Sequence, residues 1–205
     1  MAQKAEGILP PGIPGYNKNL AGLGFDVSQA QQLIKSSKYG DVSNLPPITL
    51  TIAGAGGSAD PLTQALVAQW KQNLGVDVTV RELEPEQYDS NPLQDSDQMY
   101  YFGWIADYPY PQDFLDLLFS SGSSFNYGGY SNSNVDSLIQ QANQEPDQTK
   151  AFALYQQAEQ QIVNDAACLP LTFGETYLLV QPYVNNLSVN ALGTMNFNEV
   201  TIAPH

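Results

Sequence analysis

Residues 46–83 switch hydrophobic period twice, and this constrains the fold more than any other feature of the chain. Pro46-Pro47-Ile48-Thr49-Leu50-Thr51-Ile52-Ala53 alternates and is rich in β-branched residues, the pattern of a strand. After the loop Gly54-Ala55-Gly56-Gly57-Ser58, Asp60-Pro61 offers a cap and a proline for the first helical turn. Leu62, Ala65, Leu66, Gln69, Trp70 and Leu74 then recur on one helical face until Gly75. Val76–Leu83 alternates again. A strand, a crossover helix and a second strand predict parallel pairing, and therefore an α/β domain.

The rest of the chain supports that class. Residues 7–16, Gly-Ile-Leu-Pro-Pro-Gly-Ile-Pro-Gly-Tyr, are extended and turn-rich, since each proline fixes φ and biases its predecessor away from helix. The segment reads as a connector. A helix of about ten residues follows Asp26 or Ser28 as cap, with Ala30, Leu33 and Ile34 as its apolar stripe, and ends near Tyr39-Gly40. Pro85–Leu93 is a short helix or loop. Asp97–Ile105 is a third strand, apolar on both faces and so expected at the centre of the sheet. Gln112–Ser121, Val135–Gln144 and Gln148–Asn164 read as helices, the last with Ala151, Leu154, Tyr155, Ala158, Ile162 and Val163 inward. Leu169–Phe173 and Thr176–Val180 read as strands, and the tail from Pro182 is weakly patterned. Trp70 and the run Tyr100-Tyr101-Phe102 read as core.

Several functions are excluded by what the chain lacks. Lys plus Arg is 7 against 21 Asp plus Glu, a net charge of −14. Nucleic-acid binding needs clustered cations, so it is not expected, and neither is docking on an anionic membrane. The one cysteine, Cys168, allows no internal disulfide and no cysteine zinc cluster, and reads as a small buried apolar residue. The one histidine, His205, is the final residue, which leaves a Ser-His-Asp triad or a HExxH zinc site without its imidazoles. No metal and no cofactor is expected. No apolar run is long enough to span a bilayer.

Arg81 and Lys150 are consecutive basic residues; the 68 residues between them carry twelve acids. Most of these acids suit a solvated surface. One or two facing a cleft would favour a cationic ligand. Asp107 is the leading candidate. It follows the third strand on a loop stiffened by Pro109 and Pro111, and ligands collect beyond the carboxyl ends of strands in α/β sheets. A carboxylate there suits an ammonium group through charge-assisted hydrogen bonds. Trp104, Tyr108 and Tyr110 flank it with apolar and cation–π surface. The competing reading is an Asx-turn, in which Asp107 accepts backbone N–H groups of its own loop.

Gly103-Trp104-Ile105-Ala106-Asp107-Tyr108-Pro109-Tyr110-Pro111, then Phe114-Leu115, Asn126, Gly129-Tyr130-Ser131-Asn132 and Asp136, resembles the oligopeptide- and dipeptide-binding proteins of bacterial ABC importers, family 5 of the extracellular solute-binding proteins. Residues 8–16, 30–34, 74–78 and 154–159, leading to Leu169-Pro170-Leu171, fit the same family in the same order. The resemblance implies a periplasmic-binding-protein type II-like lobe: α/β, with a mixed central sheet flanked by helices and a C-terminal tail returning to a first lobe. It covers only the second lobe of a two-lobed clamp, so the chain reads as a piece of a longer protein. On that reading 1–16 is the connector from the first lobe, 17–172 the ligand-binding lobe, and 173–205 the returning strand and tail. The whole would be exported, periplasmic or a cell-surface lipoprotein. Its partners would be a peptide or other small solute, the importer's membrane permease and the first lobe, with no nucleic acid.

By the resemblance, Asp107 falls where peptide-binding members hold the ligand's α-amino group. Trp104 and Ile105 fall in the stretch touching peptide, and Tyr108, Tyr110, Asn126 and Tyr130 are further ligand-binding candidates. Asn126 and Tyr130 equally suit hydrogen bonding and packing inside their own loop. Tyr110 departs from the acidic or polar residue usual in the family, putting an aromatic at the pocket rim. The absence of arginine over residues 82–149 also departs from those members that use one for the ligand's carboxylate. Two alternatives stay open. One is the same fold binding another solute, such as an oligosaccharide stacked on Trp104, Tyr108 and Tyr110. The other is a carboxylate-based hydrolase pairing Asp107 with Asp113 or Asp116.

Overall fold

The structure, a computed structural model, describes residues 2–54, 59–90, 93, 97–190 and 192–205. In chain order the elements are β1 (Ala2–Lys4), α1 (Val27–Ser36), a 3-10 turn (Val42–Asn44), β2 (Ile48–Ala53), α2 (Pro61–Leu74), β3 (Val78–Leu83), α3 (Pro85–Ser90) and β4 (Met99–Tyr100). There follow α4 (Gln112–Phe119), α5 (Ser133–Gln144), α6 (Gln148–Asn164), β5 (Thr172–Gly174) and four two-residue strands, β6 (Val184–Asn185), β7 (Ser188–Val189), β8 (Met195–Asn196) and β9 (Thr201–Ile202). They divide into two units, residues 24–103 and residues 1–23 with 104–205.

The unit 24–103 is built on the predicted strand–helix–strand. β2 pairs in parallel with β3 from Ile48↔Val78 to Ala53↔Leu83, and with β4 at Leu50↔Met99 and Thr51↔Tyr100. Asp60 caps α2 by accepting from the N–H groups of Leu62 and Thr63, Pro61 opens the helix, and Gly75 closes it in the left-handed region at φ 74°. Leu50, Ile52, Val76 and Tyr88 are its buried hydrophobics. Arg81 pairs with the buried Asp97, and the Thr51 hydroxyl donates to the same Asp97 oxygen at 2.8 Å. That ion pair ties β2, β3 and the start of the third strand together.

Several expectations within this unit are corrected. The third strand, expected over Asp97–Ile105 at the sheet's centre, is two residues long and lies on the edge in the order β3-β2-β4. Its aromatics explain the misleading pattern: Tyr100 and Tyr101 are half-buried, and Phe102 is exposed rather than core. Trp70 is half-buried rather than core. α1 is capped by Asp26 as expected but stops at Ser36, short of Tyr39-Gly40; it buries no residue, and Leu33 of its stripe is 64% exposed. The loop expected at 54–58 lies mostly outside the described residues.

The other unit is a helical cluster around which the termini fold. Phe114 and Leu115 of α4, Val135, Ile139 and Ala142 of α5, and Tyr155, Ala158 and Ile162 of α6 form its core. Leu9 and Ile13 of the proline-rich segment complete it, both almost fully buried. That segment is held by Glu159 of α6, whose Oε1 accepts from the N–H groups of Ile8 at 2.7 Å and Leu9 at 2.8 Å. α6 keeps its expected bounds and buried face, apart from half-buried Leu154 and the addition of Glu159. α5 starts two residues before the expected Val135, because Asn132 caps it. β1 pairs antiparallel with β5.

The tail differs from expectation. Thr176–Val180 forms no strand, because its backbone finds no ladder partner among the described residues. Leu179 there is fully exposed. β6 pairs with β9, and β7 with β8, as short antiparallel ladders. Among the described residues no helix is long and apolar enough to cross a membrane.

Candidate functional site

Residues 104–111 run from Trp104 to the start of α4, and their own chemistry explains their shape. Pro109 and Pro111 cannot donate to a ladder, so the backbone turns. The Tyr110 N–H donates to the Tyr108 carbonyl at 2.9 Å, and the Asp113 N–H to the Tyr110 carbonyl at 3.2 Å. Tyr110 points into the helical cluster. Its ring stands edge-on to Tyr155 at 5.8 Å between centroids and tilts against Phe152 at 5.7 Å. Pro111 is buried, and Gly15 of the proline-rich segment comes so close that an added Cβ would lie 3.0 Å from the Pro111 ring. Gly15 also has φ +83°, so glycine is required there both by space and by backbone.

The other end of the loop hangs on Asp113, in the first turn of α4. This side chain is fully buried. Its Oδ2 accepts from the Trp104 indole Nε1–H at 2.7 Å and from the Asp107 backbone N–H at 3.3 Å. Its Oδ1 is buried without a hydrogen-bond partner among the described residues. The Trp104 ring meets Phe125 edge-on at 5.4 Å.

Asp107 is thereby held by its backbone while its carboxylate is exposed and makes no hydrogen bond within the described chain. The Asx-turn alternative is therefore absent from this structure. Ile105 stands 83% exposed beside it, and Tyr108 is exposed with its hydroxyl donating to Gln112 at 3.3 Å. Burial, then the charges of Asp113, Asp116 and Asp107, raise the Tyr108 phenol above its ordinary value. Three carboxylates thus act on the space around Tyr108, a field suited to a cation.

Asn126 and Tyr130 are engaged elsewhere. The Asn126 amide donates to the carbonyls of Ser120 and Tyr130 and accepts from the Tyr130 N–H, closing its own loop. The Tyr130 hydroxyl donates to Asp165 at 2.6 Å, and its ring rests on Phe119. So the structure brings Trp104, Ile105, Asp107 and Tyr108 together on one short loop, and directs Tyr110, Asn126 and Tyr130 into packing and loop closure. Asp113 was legible only as a spare carboxylate. The available signal was Trp104, since a half-buried indole N–H usually finds an acceptor.

Among the described residues no group of three or more His, Cys, Asp or Glu is placed to hold a metal. A depression of about 470 Å³ in the unit 24–103 is lined by Val42, Leu45, Pro46, Ile48, Val76 and Asp77 among others. Its only charged side chain, Asp77, is paired with Lys71, so it offers little recognition chemistry.

This arrangement of strands, helices and loop is a lobe of the type II periplasmic-binding fold. It matches the *Helicobacter pylori* periplasmic binding protein DppA, solved with the peptide STSA, at a TM-score of 0.72 and 27% identity, over 83% of this chain and 33% of that one. Residues 1–126 match the model of bacterial extracellular solute-binding proteins, family 5, middle region. The dipeptide-binding protein DppE of *Bacillus subtilis* is 33% identical over 71% of this chain and 27% of its own length. The probable deoxycholate-binding periplasmic protein YgiS of *Escherichia coli* is 35% identical over 93% of this chain and 37% of its own. The chain belongs to the family 5 extracellular solute-binding proteins, and spans well under half the length of these relatives. Members of the family are periplasmic or extracellular substrate-binding transport proteins.

Proposed function

We propose that this chain is the second lobe and returning tail of a solute-binding protein that captures short peptides for an ABC importer, with Asp107 receiving the ligand's α-ammonium group. The observation that carries this is the exposed Asp107 carboxylate, which makes no hydrogen bond among the described residues and sits on a loop fastened at both ends. Trp104, Ile105 and Tyr108 supply apolar and aromatic surface beside that charge. Tyr110, Asn126 and Tyr130 contribute by shaping and holding the loops. The ligand bridges this lobe and a preceding one, and closure is a population shift toward the bridged state. The complete protein is exported, as a periplasmic protein or a surface lipoprotein, and delivers its ligand to a membrane permease.

No chemistry is required of the site. The hydrolase alternative needs a second working carboxylate, but Asp113 is buried under Trp104, and Asp116 accepts from Ser120, Gln112 and Asn143. A second solute class has a specific observation behind it, because a relative matching 93% of this chain is named for deoxycholate, which has no amine. The test joins this chain to the preceding lobe and records thermal shifts with short peptides bearing free or N-acetylated amino termini. Stabilisation by the free peptides alone, lost in Asp107→Asn, supports the peptide reading. Equal stabilisation by both sets, or by a bile acid and neither peptide set, would replace it with an amine-independent solute.

A further inference from the structure

We infer that Asp113 is the positioning residue of this site: its buried carboxylate sets the Trp104 indole and the Asp107 backbone, and so aims the Asp107 carboxylate outward. One oxygen, Oδ2, serves both donors, at 2.7 Å and 3.3 Å. Trp104 and Asp107 are both candidates for ligand contact on the same loop, and the single acceptor couples them. An acidic group this deeply buried with one oxygen unpartnered among the described residues is not explained by packing alone, since an apolar side chain would fill the place without leaving an orphan acceptor. Its position follows from α4: residue 113 lies in the first turn, directly before core residues Phe114 and Leu115, so the helix carries the carboxylate inward. Asp113 itself touches no ligand. The inference deepens the peptide reading above and rests on it for the affinity measurement, though not for the geometry.

The experiment uses two variants and two readouts. The chain has two tryptophans, so a Trp70→Phe background leaves Trp104 as the only indole. In that background, proton–nitrogen spectra follow the Trp104 indole and the Asp107 amide. Asp113→Ala removes the acceptor; Asp113→Asn keeps a carbonyl oxygen while removing the charge. Asp113→Ala should shift both resonances and lower affinity for free-amino peptides on the order of tenfold or more, measured in the chain joined to its preceding lobe. Asp113→Asn should restore both resonances and most of the affinity. Unmoved resonances in Asp113→Ala would overturn the inference whatever the ligand proves to be. So would an Asp113→Asn loss as large as that of Asp107→Asn, which would make the buried charge an attractor rather than a positioner. Should Asp113→Ala fail to fold, Asp113→Asn decides alone. If the wild type ignores the amino terminus, the peptide reading fails, while the two resonances still judge the geometry.

Discussion

Glu159 is the residue whose consequences reach furthest from the candidate site. It is buried at the middle of α6, and its Oε1 accepts two backbone N–H groups from a segment about 150 positions away in sequence. Burial raises its carboxyl above the ordinary value, against the opposing effect of the bonds from Leu9 and Ile8. Its charge also helps burial push the Cys168 thiol up to about 12, leaving that cysteine unreactive near neutrality. Because the folded carboxyl holds its proton more tightly than the unfolded one, stability should rise as pH falls through the raised value. The gain should be complete below the ordinary value of 4.5. Glu159→Gln should remove this dependence and be at least as stable as wild type at pH 7, as read from urea melts across pH. Glu159→Ala leaves both N–H groups unpaired and should cost on the order of 3 kcal/mol. Neither Glu159 nor Asp113 was legible as a fastening residue, because a carboxylate in a helix stripe looks like a surface residue until its partner is known.

At the scale of elements, caps and packing separate. Asp147 caps α6 by accepting from the N–H groups of Thr149 and Lys150, so Asp147→Ala should cost about 1 kcal/mol in denaturant melts. Gly75 has open space where a Cβ would go, so Gly75→Ala tests backbone strain alone and should cost about 1 kcal/mol. α1 is well capped by Asp26 yet buries nothing, whereas α6 buries six residues. Amide exchange should therefore be about 100-fold or more faster in α1 than in the middle of α6. Comparable protection in the two helices would mean that α1 has a covered face. The starts of α1, α2 and α6 and the stop of α2 were readable because Asp, Pro and Gly act on their own backbone, whereas α1 ends at Ser36, before the Tyr39-Gly40 expected. The short β4 and the missing strand at 176–180 were not, because a strand exists only where another offers its hydrogen bonds.

At the scale of the molecule, the last part of the chain is the exposed part. Residues 175–182 are exposed throughout and pair in no ladder among the described residues, and Tyr177 and Phe197 stand more than half open. We expect this tail to be covered by the preceding lobe in the complete protein. Chymotrypsin should cut the isolated chain first near Tyr177–Leu179, leaving the α4–α6 cluster intact by mass spectrometry. Joining the preceding lobe should suppress that cut. Persistence of the cut at the same rate would remove the docking role of the tail.

The α/β class, the parallel β2–β3 pair, the capped helices and the proline-stiffened turn over 106–111 could be read from the residues alone, whereas the loop's start at Trp104 could not. The readable features follow from local terms: period, capping chemistry and proline geometry. The sequence also carried the family, through an ordered set of motifs rather than any single one. Which acids are surface and which are internal supports, and which aromatics face the core, depended on long-range packing. Tyr110 and Tyr108 are two residues apart on one loop, yet one packs on Tyr155 while the other stands exposed. Asp107 and Asp113 are likewise close in sequence, yet one carboxylate is open and the other buried under an indole. The physical reason is the same in each case: side-chain burial depends on partners distant in sequence, and no local pattern encodes where those partners will be.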